Sequence, residues 1–460
     1  MTRTDAIALA YLVAAVCFIL ALKGLSSPRT ARLGNALGAA GVALAVGMTF
    51  LDRQVGNVPL ILAGIAVGTA VGVPAARTVK MTAIPQMVAM FNGVGGAAAA
   101  LVSLVEFGSA GGRTATGAAA AAVFSTAVGA VSFTGSVLTF VKLQELMTGA
   151  PVLYRGQRIV GALLVLAAVG LAGVVLATAS LPALVVLAIV GLAFGIAFVL
   201  PVGGADVPVV ISLLNSFTGL AVAASGFVLR NVLLIVAGTL VGASGTLLTR
   251  LMSAAMGRSL PNILFGAFSA SAAGVDAETD GTDRTVRSGT AEDLGVLLAY
   301  SRKVQIVPGY GLAVAQAQHT VQELAELLES RGVEVSYAIH PVAGRMPGHM
   351  NVLLAEANVP YESLREMDDA NPEFARTDVA LIVGANDVVN PAARSSPGSP
   401  IYGMPILDAD AARHVVFLKR SMRPGFAGIE NSLLFDPRTT MLFGDAKESL
   451  SALVHAVKDA

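Results

Sequence analysis

Windows of about twenty apolar residues recur between short polar breaks throughout the first 260 residues. A bilayer core about 30 Å thick needs roughly 20 such residues in helical form to cross it. The pattern predicts nine spans, at approximately 6–25, 34–51, 57–76, 84–106, 116–140, 158–179, 181–202, 207–229 and 232–252. Lipid offers no hydrogen bonds to the backbone, so such spans are helices packed as a bundle. Their many Gly and Ala residues let helices approach closely, and Gly238 with Gly242 forms one small-residue pair of this kind. A composition of 55% hydrophobic and 13% charged residues, too apolar for a set of soluble domains, agrees.

Charge divides the chain in two. Residues 1–260 hold fourteen Lys/Arg and five Asp/Glu, whereas residues 261–460 hold sixteen and twenty-five. With the N-terminus outside, the inner loops carry Lys23, Arg29, Arg32, Arg77, Lys80, Lys142, Arg155, Arg158, Arg250 and Arg258, against Arg3, Arg53, Arg113 and Arg230 outside. That asymmetry puts the C-terminal part in the cytoplasm. No charged leader or small-residue cleavage site precedes the first apolar run, which reads as a permanent span. The single cysteine, Cys17, excludes an intramolecular disulfide and any site built from several cysteines.

After Arg258 the hydropathy falls, and residues 261–293, rich in Gly, Ala, Ser, Thr and Asp, read as a linker. From Leu294 onward, short β-rich runs alternate with helical ones: Val304–Val307, Val333–Ile339, Val379–Val383, Val415–Leu418 and Met441–Phe443. The expected fold class is therefore a multi-span α-helical membrane bundle followed by a doubly wound, mostly parallel, Rossmann-like α/β domain over 294–460.

Within that domain Gly309, Tyr310, Gly311, Leu312, Ala313 and Val314 follow the strand Lys303–Val307 and are expected to open a helix running through Ala317 and Leu324. Glycines at such a turn bring backbone N–H groups and a helix N-terminus against a pyrophosphate. Val314 stands where the fingerprint has Gly or Ala, and a tight turn without ligand remains the alternative. The second strand ends in His340-Pro341 and lacks the acid that holds the ribose 2′-hydroxyl of NAD, which favours NADP. Lys419, Arg420 and Ser421, at the end of the strand through Phe417, offer two cations and a hydroxyl for a 2′-phosphate, or are simply a solvated loop. Two loops rich in residues that approach ligands by backbone run from Ala343 to His349, with Gly344, Arg345, Pro347 and Gly348, and from Gly384 to Pro391, with Ala385, Asn386 and Asp387. All five histidines fall in this part, so no pair of them can hold a haem between spans.

The strings GYGLAVAQAQ (309–318), IHPVAGRMPGHMNVLLAEANVPY (339–361), GANDVVNPAA (384–393), KRSM with the PGFAG that follows (419–428), and MLFGDAK (441–447), which contains Gly444 and Asp445, resemble the NADP(H) domain of proton-translocating NAD(P) transhydrogenases. In the apolar half SFTGS (132–136) and GGADVPVVISLLNSFTG (203–219) agree, so the resemblance covers essentially the whole chain. It implies the beta subunit of that enzyme, a multi-pass protein of the inner membrane with NADP(H) on this chain and NAD(H) on an alpha subunit, as a dimer of alpha-beta units and with no nucleic-acid partner. It implies NADP(H) lying reversed across the C-terminal edge of the sheet, with Lys419, Arg420 and Ser421 at the 2′-phosphate and Arg345 and Asp387 near the nicotinamide. No side chain is required to catalyse the hydride transfer, and no metal is expected.

The resemblance also marks a proton path. Asp206 belongs to a matching string at the cytoplasmic mouth of the eighth span, and Asn215 lies inside that span, where a polar residue serves a pathway or glues helices. Some family members carry a histidine in the fourth span where this chain has Asn92. Asparagine does not titrate, so Asn92 and Asn215 are expected to position water while the titrating group comes from a partner helix. Two rivals are a nucleotide-gated ion transporter with a cytoplasmic Rossmann sensor and a membrane-tethered NADPH reductase. The first lacks repeated filter segments and the second lacks metal or haem ligands.

Overall fold

The computed structural model describes residues 3–51, 56–80, 83–110, 115–144, 146–147, 152, 154–202, 206–255, 260, 285–344, 348–396, 399, 401–425 and 427–460. Positions 261–284 of the expected linker lie outside the described residues, as do Arg345 and Pro347. The chain divides into two compact units, one formed by Met1–Pro201 with Val210–Thr249 and the other by Val202–Val209 with Arg250–Ala460.

Among the described residues nine helices are long and apolar enough to cross a membrane, which makes this a multi-pass membrane protein. They are α1 (Arg3–Leu25), α2 (Pro28–Thr49), α3 (Val58–Thr78), α4 (Ile84–Ser109), α5 (Thr116–Leu143), α6 (Gln157–Thr178), α7 (Leu181–Val199), α8 (Val207–Val228) and α9 (Val232–Ala255). Helix α5 runs three residues past its expected end at 140. Its last turn holds Lys142, whose buried Nζ donates to the carbonyls of Val199 (3.2 Å) and Leu200 (2.6 Å) and so caps α7. A lysine stem buried along apolar surface, with its head at a helix terminus, extends the hydrophobic segment beyond what hydropathy alone marks.

Close packing follows the small residues. On α4 and α5, Gly96 and Gly129 face one another, and a Cβ on Gly96 would stand 3.0 Å from the Gly129 carbonyl. Gly219 of α8 meets Gly238 and Gly242 of α9 in the same way, so the pair singled out in the sequence lies at a helix crossing. Helix α3 buries none of its described residues within this chain.

The α/β part of the second unit starts, among described residues, with 285–290 beside the last strand. Ser288 bridges Met441, and Gly289 N donates to the Met441 carbonyl (3.0 Å). Thr290 then caps α10 (Ala291–Ala299) by accepting from Asp293 N (3.2 Å). There follow β1 (Lys303–Pro308), α11 (Tyr310–Val314), α12 (Gln318–Ser330), β2 (Glu334–Ile339), α13 (His349–Glu356), β3 (Leu364–Glu366), α14 (Met367–Phe374), β4 (Val379–Val383), α15 (Ala392–Ser395), β5 (His414–Lys419), β6 (Thr439–Phe443) and α16 (Ala446–Asp459). The six strands are parallel in the order β3-β2-β1-β4-β5-β6, the doubly wound arrangement. The sequence had marked five of them. β3 is a three-residue edge strand, Leu-Arg-Glu, with no apolar run to reveal it.

Every residue of β4 is buried, as befits a strand covered on both faces. One core holds Leu298, Val304, Ile306, Leu324, Leu328, Leu450 and Leu453, and the other holds Val307, Phe374, Ile382, Leu407, Phe417 and Leu434. Helix α12 shows why the first forms, since Val321, Leu324, Ala325 and Leu328 recur at helical spacing on its buried face.

Because the crossing of α8 and α9 leaves no room for a side chain, Gly238→Val is expected to cost about 1–3 kcal/mol by overpacking. Gly64→Val on α3, where an added Cβ meets nothing within 4 Å, is expected to cost nothing measurable. Thermal unfolding of the purified protein in detergent checks the contrast.

Candidate functional site

The strand order reverses between β1 and β4, and open α/β sheets bind ligands in the crevice beyond the strand ends at such a point. The loops leaving these strands are joined by backbone hydrogen bonds, from Gly309 N to the Val383 carbonyl and from Gly311 N to the Gly384 carbonyl, both 2.9 Å. A Cβ on Gly309 would enter the backbone of Gly384 and Ala385, and one on Gly311 would press on the Gly384 Cα. Gly384 itself sits at φ +72°. These three glycines are thus required by the packing of loop on loop, which holds both turns flat at the crevice.

The expectation of one long helix after Gly309 is corrected. The chain forms the five-residue α11, turns through Gln316 in the left-handed region (φ 52°), and starts α12 at Gln318. So short a helix carries little aligned dipole, and the pyrophosphate cradle inferred from a helix N-terminus loses that support. Val314, at the third fingerprint position, has an exposed side chain rather than packing helix against strand. Tyr310 lies with its ring 6.3 Å from that of His349, the first residue of α13.

At the neighbouring tips, Gly444 N of the β6 end donates to the Lys419 carbonyl (3.2 Å), and Arg420 pairs with Asp445 (3.2 Å). Lys419 Nζ donates to Asn386 Oδ1 (3.3 Å) and to the Arg423 carbonyl (2.7 Å). Burial holds its ammonium below the ordinary lysine range, and the Asp387 carboxylate partly offsets the effect. Arg420 and Ser421 are exposed beside it. Asp387 accepts from Asn386 Nδ2 (3.0 Å) and from Ala427 N (2.8 Å), fastening the segment after β5 to the loop after β4. Asn431 Nδ2 donates to the Asn386 carbonyl (3.0 Å), and Asn390 Nδ2 donates to the Glu430 carbonyl (3.0 Å). Asn390 lies inside the ligand-approaching loop from Gly384 to Pro391 that the sequence marks, whereas Arg423 and Asn431 carry no signal beyond nearness to the string 419–428.

The structure therefore brings Gly309, Gly311, Gly384, Ala385, Asn386, Asp387, Lys419, Arg420, Gly444 and Asp445 to one edge of the sheet. Ala343, Gly344 and Gly348 lie beyond the tip of β2, where Ala343 N donates to the His340 carbonyl (3.0 Å) and Gly344 and Gly348 adopt φ +99° and +67°. His340 is buried, accepts from Val342 N at Nδ1 (3.2 Å), and so presents Nε2–H to the Pro405 carbonyl (2.8 Å). Burial pushes its pKa down to about 4, against the pull of the Pro405 carbonyl, and the ring is neutral.

In the membrane unit, Asn92 Nδ2 donates to Ser136 (2.9 Å) and Ser132 (3.3 Å), while Thr218 donates to the Asn92 carbonyl (3.4 Å). Asp206, half-buried, lies in the segment Val202–Val209 that groups with the second unit and immediately precedes α8, and half-buried Asn215 follows Leu214, whose carbonyl takes the Ser132 hydroxyl (2.9 Å). Among the described residues no group of three or more His, Cys, Asp or Glu converges as a metal site.

A helical membrane unit joined in one chain to a doubly wound domain, with paired glycine loops at its switch point and a cationic strand tip beside them, is a multi-pass membrane protein with a Rossmann-like domain. The chain belongs to the NAD(P) transhydrogenase beta subunit family, whose sequence profile it matches over residues 7–456. It is similar to NAD(P) transhydrogenase subunit beta of Rhodospirillum rubrum, 50% identical over 456 residues that cover 97% of this chain and 98% of the relative. A second relative of that name, from a defined strain of the same organism, matches to the same extent. Membership makes this an oxidoreductase subunit of nicotinamide nucleotide chemistry, and the designation beta implies a companion alpha subunit. It gives no support to a nucleotide-gated transporter.

Because His340 stays neutral when folded, the folded protein binds fewer protons than the unfolded chain between about pH 6.5 and about pH 4. Stability is expected to fall as pH drops through that window, by about 3 kcal/mol from this residue, and to lose this dependence below it. His340→Gln, which keeps a donor for the Pro405 carbonyl, should flatten the profile when denaturant midpoints are compared across that range.

Proposed function

We propose that this chain binds NADP(H) on residues 294–460 and couples hydride exchange with NAD(H), held by the alpha subunit, to proton movement through residues 1–260. The observation that carries the nucleotide assignment is the pair Lys419 and Arg420 at the tip of β5 beside the switch-point loops, with His340 where an NAD site has an acid. Lys419 bonds two neutral acceptors with the Asp387 carboxylate nearby, Arg420 is exposed and pairs with Asp445, and Ser421 adds a hydroxyl. This donor set fits a 2′-phosphate better than a bare ribose. Bound NADP(H) supplies the nicotinamide that takes or gives the hydride.

The remaining work falls to the protein. Gly309, Gly311 and Gly384 keep the crevice floor free of side chains, and Asp387 tethers the segment after β5 over the neighbouring loop. Alignment of two nicotinamides in a dry site suffices for direct transfer, so no acid–base side chain is assigned. Asp206 gates exchange with the cytoplasm, Asn92 and Asn215 position water, and the titrating group sits on a partner helix. The loop charges support a cytoplasmic NADP(H) domain, and an inner-membrane dimer of alpha-beta units completes the reading.

Replacing Lys419 and Arg420 together by Ala removes two charge-assisted hydrogen bonds of about 1.5–3 kcal/mol each. Calorimetry on the full chain in detergent is expected to show NADPH affinity reduced by at least about a hundredfold and NADH affinity nearly unchanged. An equal loss for both nucleotides would move the phosphate elsewhere. In vesicles holding both subunits, Asp206→Asn and Asn215→Leu are each expected to lower pumping and coupled turnover together, and unmodified pumping in both would reduce these residues to packing.

A further inference from the structure

Two helical turns from Asn92, the same three helices repeat the same hydrogen-bond unit. In the first unit Ser132 of α5 donates to the Leu214 carbonyl (2.9 Å), pairs with the Thr218 hydroxyl (2.5 Å), and Thr218 donates to the Asn92 carbonyl (3.4 Å). In the second, Ser125 donates to the Ala221 carbonyl (3.0 Å), pairs with the Ser225 hydroxyl (2.8 Å), and Ser225 donates to the Ala99 carbonyl (3.1 Å). Every partner has shifted by seven residues, forward on α4 and α8 and backward on the antiparallel α5. Each unit also has a polar arm from α4: Asn92 reaches Ser132 and Ser136, and Ser103 reaches Ser225 (3.1 Å).

Ser103, Ser125 and Ser225 are buried, Ser103 in the last two turns of α4, Ser225 in the last turn of α8 and Ser125 in the third turn of α5. Between the two units α4 and α5 cross at Gly96 and Gly129, so closely that a Cβ on Gly129 would stand 2.6 Å from the Gly96 carbonyl. The separation is about 10 Å, two turns of helix. Ser125 has the Ala99 carbonyl (3.2 Å), the Ala221 carbonyl and Ser225 within reach, and Ser225 has the Ala99 carbonyl, Ser103 and Ser125. These hydroxyl protons thus have more acceptors than they fill at one time, and the direction of the chain Ser103–Ser225–Ser125 reverses by rotation alone.

We propose that Ser103, Ser125 and Ser225 form a second station of the proton route, in line with the one at Asn92. Each hydroxyl takes a proton on a lone pair and releases its own to the next acceptor, so charge and hydroxyl count are unchanged, and passage between the two stations requires α4 and α5 to part at Gly96 and Gly129 and admit water. The inference rests on the reading that the route passes Asn92. Helix glue is the competing role. Interhelical hydrogen bonds of this kind contribute about 0.6 kcal/mol each, and their loss would touch stability rather than coupling.

The test uses vesicles holding both subunits, with proton uptake and hydride transfer followed together and unfolding measured in detergent. Ser225→Ala is expected to slow pumping and coupled turnover about tenfold, the scale of one lost hydrogen bond, with only the small loss of unfolding temperature that interhelical hydrogen bonds of this size imply. Ser225→Thr, which copies Thr218 of the first unit, is expected to restore the rate. Unmodified pumping by Ser225→Ala overturns the proposal, as does a slow alanine variant that threonine does not rescue. If Ser225→Ala does not assemble, Ser103→Ala is read by the same criteria. Asn92→Leu separates the two levels of the argument: blocked pumping there with full pumping in Ser225→Ala rejects the second station alone, whereas full pumping in both rejects the route.

Discussion

A hydroxyl or backbone amide inside a bilayer finds no water, and every arrangement in the membrane unit answers to that constraint. It makes the spans helical, and it drives the few polar side chains toward one another. The hydroxyls of α4, α5 and α8 end on carbonyls that each helix can offer only where its neighbour comes close. Close approach in turn demands glycine, which is why Gly96 and Gly129 stand between the two hydroxyl units and Gly219 meets Gly238 and Gly242. The result is a column of polar groups within apolar helices.

The second unit solves a different problem with the same means. A doubly wound sheet leaves a crevice where strand order reverses, and the ligand-facing edge must be kept low. Gly309, Gly311 and Gly384 achieve this by packing one turn against another through backbone alone. The cations at β5 then face outward, with Lys419 steadied by Asn386 and Arg420 by Asp445. The connection through Asp387 and Ala427 ties the cationic segment to the loop after β4, so movement of either is felt by the other.

Much of this was legible in the sequence. The nine spans follow from hydropathy because crossing lipid is a demand on composition over a whole window, and the strands of the sheet follow from buried apolar runs. Where the signal is conformational rather than compositional, it fails. Gln316 in the left-handed region breaks the helix after Gly309, and no residue-type preference announces it. β3 is an edge strand of three residues, two of them charged. His340 was visible only as a missing acid, while its burial and its bond to the Pro405 carbonyl depend on a loop more than sixty residues away. The repeat of Ser125 and Ser132 against Ser225 and Thr218 is hidden for a similar reason, since it exists only when three helices are set in register.

The central claim is that nucleotide chemistry on this chain is tied to proton movement across the bilayer. It is tested most directly by imposing a proton gradient on vesicles that contain both subunits and measuring the mass-action ratio at equilibrium, NADPH × NAD⁺ over NADH × NADP⁺. A driving force of about 100 mV is worth about 2.3 kcal/mol per charge, enough to shift that ratio by roughly fiftyfold if one proton crosses per hydride. The account predicts a shift of that order, abolished by a protonophore. A ratio that stays the same with and without the gradient would contradict it.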